Sequence, residues 1–258
     1  MKKYWNNFKK YRFLLGELVK KGITLRYRRS YLGILWTLIE PLLTMIVLTV
    51  VFGTLLGNED KQFPVYILSG RLLYSFFSNS TKVAMKSIRI NSSMIKKVYV
   101  PKYMYPLASI LTDYIIFLIS LIILVAVGVV LQVKPTFYLL QVIIPLAVLP
   151  IMCYGIGLIL ATLAVFFRDL EYIWSVALML LMYTSAIFYK PAKIINGGYG
   201  WLLEINPLYS VVVNFRNSIF GAPLDQRALA LSIVYSVGFL AIGAFMFYKK
   251  QDQFILHV

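Results

Sequence analysis

The sequence is built from apolar blocks long enough to cross a bilayer. A hydrocarbon core of roughly 30 Å needs about 20 apolar residues in a helix. Blocks of that order recur along a chain of 258 residues that is 60% hydrophobic and 14% charged, whereas soluble domains carry about 25% charged residues. Helices are expected at roughly 34–56, 63–83, 105–131, 138–166, 172–189 and 228–248. The second is the least apolar. It contains Arg71 and ends on Ser78-Asn79-Ser80-Thr81. The fold class expected is all-α and integral to the membrane, with six transmembrane helices. A cytoplasmic amphipathic segment, 1–33, precedes a single six-helix domain, 34–258.

Charge orients the bundle. The chain carries 26 Lys and Arg against 10 Asp and Glu, a net charge of +16. In a soluble protein that balance would suggest nucleic acid. Here it lies mostly between apolar blocks, where it reports orientation and lipid contact, and no nucleic-acid partner is expected. Ten of the cations fall in the first 33 residues. Lys86, Arg89, Lys96, Lys97 and Lys102, then Arg168, then Lys249 and Lys250 follow on the same side. That makes eighteen against six on the other face: Lys61, Lys134, Lys190, Lys193, Arg216 and Arg227. The positive-inside rule therefore places both termini in the cytoplasm. The first 33 residues contain no apolar run that would serve as a cleavable signal, so the first transmembrane helix is expected to direct insertion.

Three segments outside the spans have a pattern of their own. In the leading segment Tyr4, Phe8, Tyr11, Leu15 and Leu18 recur at helical spacing opposite Lys3, Lys10, Glu17 and Lys21, the pattern of an interfacial helix; a plain topology anchor is the alternative. In the loop 85–104, Asn91 or Ser92 can cap a short helix that Pro101 stops. Met94, Ile95 and Val98 would then face away from the membrane, seeking a partner surface, unless the loop is only a cationic connector. In 190–227, Asn206 and Pro207 start a helix and Gly221 ends it. With the apolar stretch before Asn206, this predicts two short extracellular re-entrant helices. Re-entrant backbone is tolerated only under cover of protein or water, and the segment reads as a gate or as a folded cap.

The chemistry present is sparse. One cysteine, Cys153, sits in an apolar block, and one histidine, His257, lies beside the C-terminus. No metal cluster or catalytic triad can be assembled from them, so no catalytic or metal-ligating residue is expected. No phosphate-binding Gly-x-x-x-x-Gly-Lys-Ser/Thr loop occurs. The intramembrane charges are Glu40, Arg71 and Asp113, too few for a proton relay, which points to an external energy source. Arg71 has two readings: pairing with Glu40 or Asp113, or facing a channel. Arg26, Arg28 and Arg29 precede Leu32-Gly33 at the cytoplasmic interface, where their forks suit a lipid pyrophosphate or simply anionic headgroups. Tyr74, Phe77, Tyr183 and Tyr189 place aromatic faces near helix ends, where a sugar chain could stack. Interfacial aromatics are also common in membrane proteins.

Four motifs together resemble one family. Tyr27-Arg28-Arg29-Ser30-Tyr31-Leu32-Gly33-Ile34-Leu35-Trp36 followed by Glu40-Pro41-Leu42 is similar to the leading motif of ABC-2 type transporter permeases. Lys96-Lys97-Val98-Tyr99-Val100-Pro101 resembles their cytoplasmic coupling helix, and Phe166-Phe167-Arg168-Asp169-Leu170 the turn before the fifth helix. Asn206-Pro207-Leu208 with Arg216 resembles the extracellular gate region. The nearest branch exports polysaccharide, O-antigen or teichoic acid. The resemblance implies a homodimer in a bacterial cytoplasmic membrane with two copies of a separate ATPase subunit. That subunit would bind ATP and Mg, and this chain would hold no cofactor. Transport of a lipid-linked glycan is implied; teichoic acid, or a drug or lipid as cargo, are the alternatives. The sites implied are ATPase coupling at Asn91, Met94, Ile95, Lys97 and Val98, and a pore or gate at Arg71, Trp201, Asn206, Pro207 and Arg216 with the aromatics above. Arg71 departs from the family, which more often has an apolar residue after Gly70.

Overall fold

The computed structural model describes residues 2–28, 31–56, 60–97 and 100–254, and no strand occurs among them. Eleven α-helices follow in order: α1 Lys2–Tyr27, α2 Trp36–Leu56, α3 Phe63–Ile90, α4 Ser92–Lys97, α5 Met104–Val130, α6 Ile143–Phe166, α7 Leu170–Thr184, α8 Ala192–Asn196, α9 Gly200–Ile205, α10 Pro207–Phe220 and α11 Gln226–Lys250. Four of them, extended by flanking turns, are long and apolar enough to span a bilayer: Gly33–Leu55, Met104–Val130, Phe137–Phe166 and Gln226–Gln253. Helix α7 is apolar but shorter, and α3 is long but not apolar enough to join them.

Among the expected spans, the one with the weakest hydropathy is the one the others surround. α3 packs against α2, α5, α6 and α10 and buries residues along its whole length, from Phe63 through Leu73 and Phe77 to Ile88. It continues seven residues past the expected end at 83. The polar run Ser78–Thr81 does not end it, because its hydroxyls return to the preceding turn. Thr81 Oγ1 donates to Phe77 O at 2.7 Å, Ser80 Oγ to Phe77 O at 3.3 Å and, further on, Ser87 Oγ to Ala84 O at 2.7 Å. Serine and threonine bonded in this way are compatible with a buried helix.

On one side of α3, α6 and α11 cross at backbone contact. A Cβ on Gly155 would lie 2.4 Å from Leu240 N, and one on Gly243 2.4 Å from Gly155 O. Small residues that let backbones approach are the usual basis of helix association in lipid. The lone Cys153 is fully buried in this neighbourhood. At the end of the bundle that carries both described termini, α1 lies on α5. Its Leu15 and Val19 are buried, with Leu14, Leu18 and Ile23 beside them, in a cluster shared with Met104, Tyr105, Ala108 and Phe254. The amphipathic face of α1 is therefore spent largely on its own protein. The expected stripe residues Tyr4 and Phe8 fall where side chains lie outside the described set.

The outer connection departs from the sequence reading. Three short helices, α8, α9 and α10, occupy 190–227 in place of two. The extra break falls at Gly198, whose φ of +81° suits glycine. α10 begins and ends where expected. Asn206 Oδ1 accepts from Leu208 N at 2.9 Å and Pro207 takes the first position, while Gly221, at φ 76°, closes the helix. α7 stops at Thr184, five residues before its expected end.

Substituting Gly155→Ala is expected to force α6 and α11 apart. A loss of about 1–3 kcal/mol, the usual cost of overpacking, should appear as a lower unfolding temperature of the purified protein in detergent.

Candidate functional site

Three helices turn polar stripes toward one cavity inside the apolar bundle. α2 contributes Thr37, Glu40 and Thr44; α3 contributes Arg71, Ser75 and Asn79; α5 contributes Asp113 and Ser120. Each set recurs every three, four or seven residues, so each occupies one helix face. Trp36, Phe76 and Phe117 supply aromatic walls, and Arg26 and Tyr27 close the cytoplasmic end. The volume is about 140 Å³, room for a few waters. The sequence marked Arg26 and Arg71 as candidates but missed Ser75, Asn79 and Ser120. The spacing Arg71, Ser75, Asn79 was the available signal, a polar line at i, i+4, i+8 in a buried helix.

The charges in this cavity pair differently from the expectation. Asp113 is taken by Arg26: Arg26 Nη1 bonds Asp113 Oδ1, linking the end of α1 to the middle of α5. Asp113 Oδ2 has no hydrogen-bond partner among the described residues. Arg71 pairs with neither Asp113 nor Glu40; among the described residues no carboxylate lies within ion-pair distance of it. Its guanidinium lies 5.8 Å from the Tyr74 ring centroid and borders the cavity. The pairing reading of Arg71 is thus replaced by a cation facing a small polar space. Of the other cytoplasmic candidates, Arg28 and Leu32 are exposed and Gly33 has φ +49°, while Arg29 lies outside the described residues.

The connector between α3 and α5 is also rearranged. Asn91 ends α3 rather than capping α4 with its side chain. Its Nδ2 donates to Ser87 O at 2.8 Å, and its carbonyl accepts from Met94 N and Ile95 N, both at 3.0 Å. Met94 and Ile95 do not project away from the protein. Both are half-buried against the cluster around Phe254, leaving Ser93, Lys96 and Lys97 as the exposed face of α4. Val98 lies outside the described residues. The same cluster anchors Lys102, whose Nζ donates to Gln251 O at 2.5 Å; burial pulls its pKa below the ordinary lysine value, against the opposing pull of Asp252.

Where α3, α7 and α10 meet, Arg216 is the central residue. Only 6% exposed, it meets no carboxylate among the described residues. Nη1 donates to Ala186 O at 2.8 Å, Nη2 donates to Tyr66 O at 2.9 Å and Ile187 O at 3.2 Å, and Cζ stands 3.5 Å from the Tyr66 ring centroid. Burial lowers its pKa to about 10, with Tyr66 and Tyr209 opposing the shift, so it stays charged at neutral pH. A Cβ on Gly70 would lie 2.5 Å from Nη2. Glycine at 70 is thus what lets α3 accommodate the guanidinium. Asn206 Nδ2 donates to Leu181 O at 3.0 Å, Thr184 Oγ1 at 2.8 Å and Ser185 Oγ at 2.9 Å, pinning α10 to the end of α7. Asn206 holds residues 181–185 and Arg216 holds Ala186 and Ile187, on either side of the backbone of Ala186, a non-glycine residue at φ 50°. The turn that ends α7 is over-determined by its neighbours, as strained positions require.

The aromatic candidates separate. Phe77 is fully buried against Trp174, at 6.3 Å between centroids, and Tyr74 is buried with its hydroxyl donating to Leu178 O at 3.1 Å. Neither offers a free face to a passing chain, which corrects their assignment as pore-lining residues. Tyr183 and Trp201 are exposed. Tyr189 is half-buried and donates to Tyr183 O at 2.6 Å.

The sequence model of the ABC-2 type transporter family matches residues 14–220, and the chain belongs to that family. Two O-antigen export system permease proteins align almost end to end. That of Klebsiella pneumoniae is 28% identical over 244 residues, covering 93% of both chains, and that of Myxococcus xanthus is 28% identical over 248 residues, covering 95% of both. A polysialic acid transport protein of Escherichia coli is 23% identical over 257 residues, covering 97% of this chain and 98% of that one.

Replacing Arg216 by Lys keeps the charge and loses the planar fork that holds three carbonyls. A loss of about 1–3 kcal/mol is expected in thermal unfolding, with Arg216→Leu destabilising further.

Proposed function

We propose that this chain is the permease subunit of an ATP-binding cassette exporter that carries a lipid-linked polysaccharide across the cytoplasmic membrane of a bacterium. The observation that carries the reading is its near end-to-end alignment with permeases named for O-antigen export. Relatives named for polysialic acid and capsule export point to the same cargo class, and favour polysaccharide over teichoic acid, a drug or a free lipid. ATP and Mg belong to a separate ATPase subunit, two copies of which work with two copies of this chain.

In this reading six helices span the membrane: the four long apolar ones, together with α3, whose Ser69, Ser80, Thr81 and Ser87 bond back to its own carbonyls, and α7. Both termini lie in the cytoplasm. α8–α10 form the outer cap, dipping into the outer leaflet, with Trp201, Asn206, Pro207 and Arg216 as gate residues. Arg28 is the cation best placed to meet a lipid pyrophosphate, since Arg26 is engaged by Asp113. The cavity bordered by Arg71 is a polar station on the cargo path, where a cation without a carboxylate partner favours phosphate or acidic sugar.

The ATPase docks on α4 through the exposed Lys96 and Lys97. Lys96→Glu with Lys97→Glu is expected to abolish co-purification of the ATPase subunit while leaving the unfolding temperature of the permease unchanged. Retained co-purification and retained stimulation of ATP hydrolysis would remove α4 from the docking site. For the cavity, Arg71→Leu is expected to leave thermal stability near native and lower export several-fold. Native export by this variant would exclude Arg71 from the path.

A further inference from the structure

Helix α7 is held in an unusual way. Leu178 is its single buried residue, while Tyr172, Ile173, Val176, Met179, Leu180 and Tyr183 are all exposed. Apolar contact is confined to one edge: Leu178 is buried, and Leu170, Trp174, Leu181 and Met182 pack half-buried against the core. A ladder of polar ties to α3 accompanies it. At the outer end Tyr66 Oη donates to Ala186 O at 3.2 Å and Tyr189 O at 2.8 Å. Tyr74 Oη donates to Leu178 O at 3.1 Å, and Trp174 Nε1 donates to Thr81 Oγ1 at 3.1 Å. At the cytoplasmic end the Glu171 carboxylate is shared. Lys86 Nζ reaches Oε2 at 2.7 Å and Arg89 Nη2 bonds Oε1.

The α3 partners fall at 66, 74, 81 and 86/89, spread along the length of the helix. The α7 partners ascend as these descend, so the helices run antiparallel. The last rung differs from the others in being ionic and doubly engaged. Its two cations occupy the final turns of α3, directly before Asn91 and α4. Glu171 lies in the first turn of α7, where a carboxylate also complements the helix dipole. All three side chains are partly exposed, and ion pairs of that kind contribute little to stability. What this rung does supply is a two-point hold that fixes the start of α7 to the end of α3 in direction as well as distance.

We infer that Glu171 is the positioning residue through which movement at the cytoplasmic end of α3 and α4 is transmitted to α7. The two-point ionic hold joins the α7 start to the α3 end, so displacing the α3 end carries the α7 start with it. This rests on the exporter reading above, which supplies the ATP-driven movement.

The test uses the complete complex of this chain with its ATPase subunit in proteoliposomes. The transport probe is an undecaprenyl-diphosphate-linked oligosaccharide bearing a fluorophore. With Glu171→Gln, ATP hydrolysis and unfolding temperature should stay near native while probe exported per ATP falls at least about fivefold, the lower end of usual coupling free energies. Reversing the rung, Glu171→Arg with Lys86→Glu and Arg89→Glu, should restore export per ATP, and Glu171→Asp should retain part of it. Native export by Glu171→Gln would overturn this inference alone. So would a parallel loss of hydrolysis and export with a lowered unfolding temperature, since that describes a plain structural role. If the native complex neither hydrolyses ATP nor moves the probe, the exporter reading falls and takes this inference with it.

Discussion

Polar groups taken into an apolar bundle must find partners on the protein itself, because hydrocarbon supplies none. That constraint explains why α3 is central. Its serines and threonines bond back to its own carbonyls, its tyrosines reach carbonyls of the α7 segment, and its outer carbonyl at Tyr66 accepts from Arg216. A helix furnished in this way is stable only when enclosed. The surrounding helices need less satisfaction and can face lipid, and α2 accordingly leaves Leu43, Ile46, Val47 and Val50 exposed. The polar content that weakens α3 as a hydropathy signal is what makes it the element the others assemble around.

The same constraint explains which features the sequence disclosed. The limits of α10 were readable because Asn206, Pro207 and Gly221 act within a turn of where they stand. The crossing of α6 and α11 left only scattered glycines, since the close approach exists between Gly155 and Gly243, far apart in the chain. The end of α7 was not readable at all. It is set at Ala186 by an arginine 30 residues later and a tyrosine 120 residues earlier. Met94 and Ile95 were read as outward because the cluster that draws them inward is assembled from residues far apart in the chain, from Leu15 to Phe254. The cavity was half visible: the charges stood out, but the hydroxyl and amide groups around them became a site only once α2, α3 and α5 were brought side by side.

Taken together, the two ends of the molecule are built on opposite principles. At one end Arg216 and Asn206 hold one turn and a glycine at position 70 yields space for the guanidinium. At the other, ionic contacts at Glu171 and Asp113 tie helix ends together, and α4 packs on the bundle through Met94 and Ile95.

The backbone contact between α6 and α11 has a further consequence for biogenesis. These helices form the most extensive pairing in the bundle, yet the chain between them includes α7 and the whole outer cap. During synthesis α6 is inserted long before its partner exists, and the face carrying Gly155 must wait in lipid until α11 leaves the ribosome. Contacts so distant in sequence are slow to close. The segment that carries α8–α10 is therefore made while the frame meant to support it is still open on one side, and its contacts with α11 form only after the last helix docks.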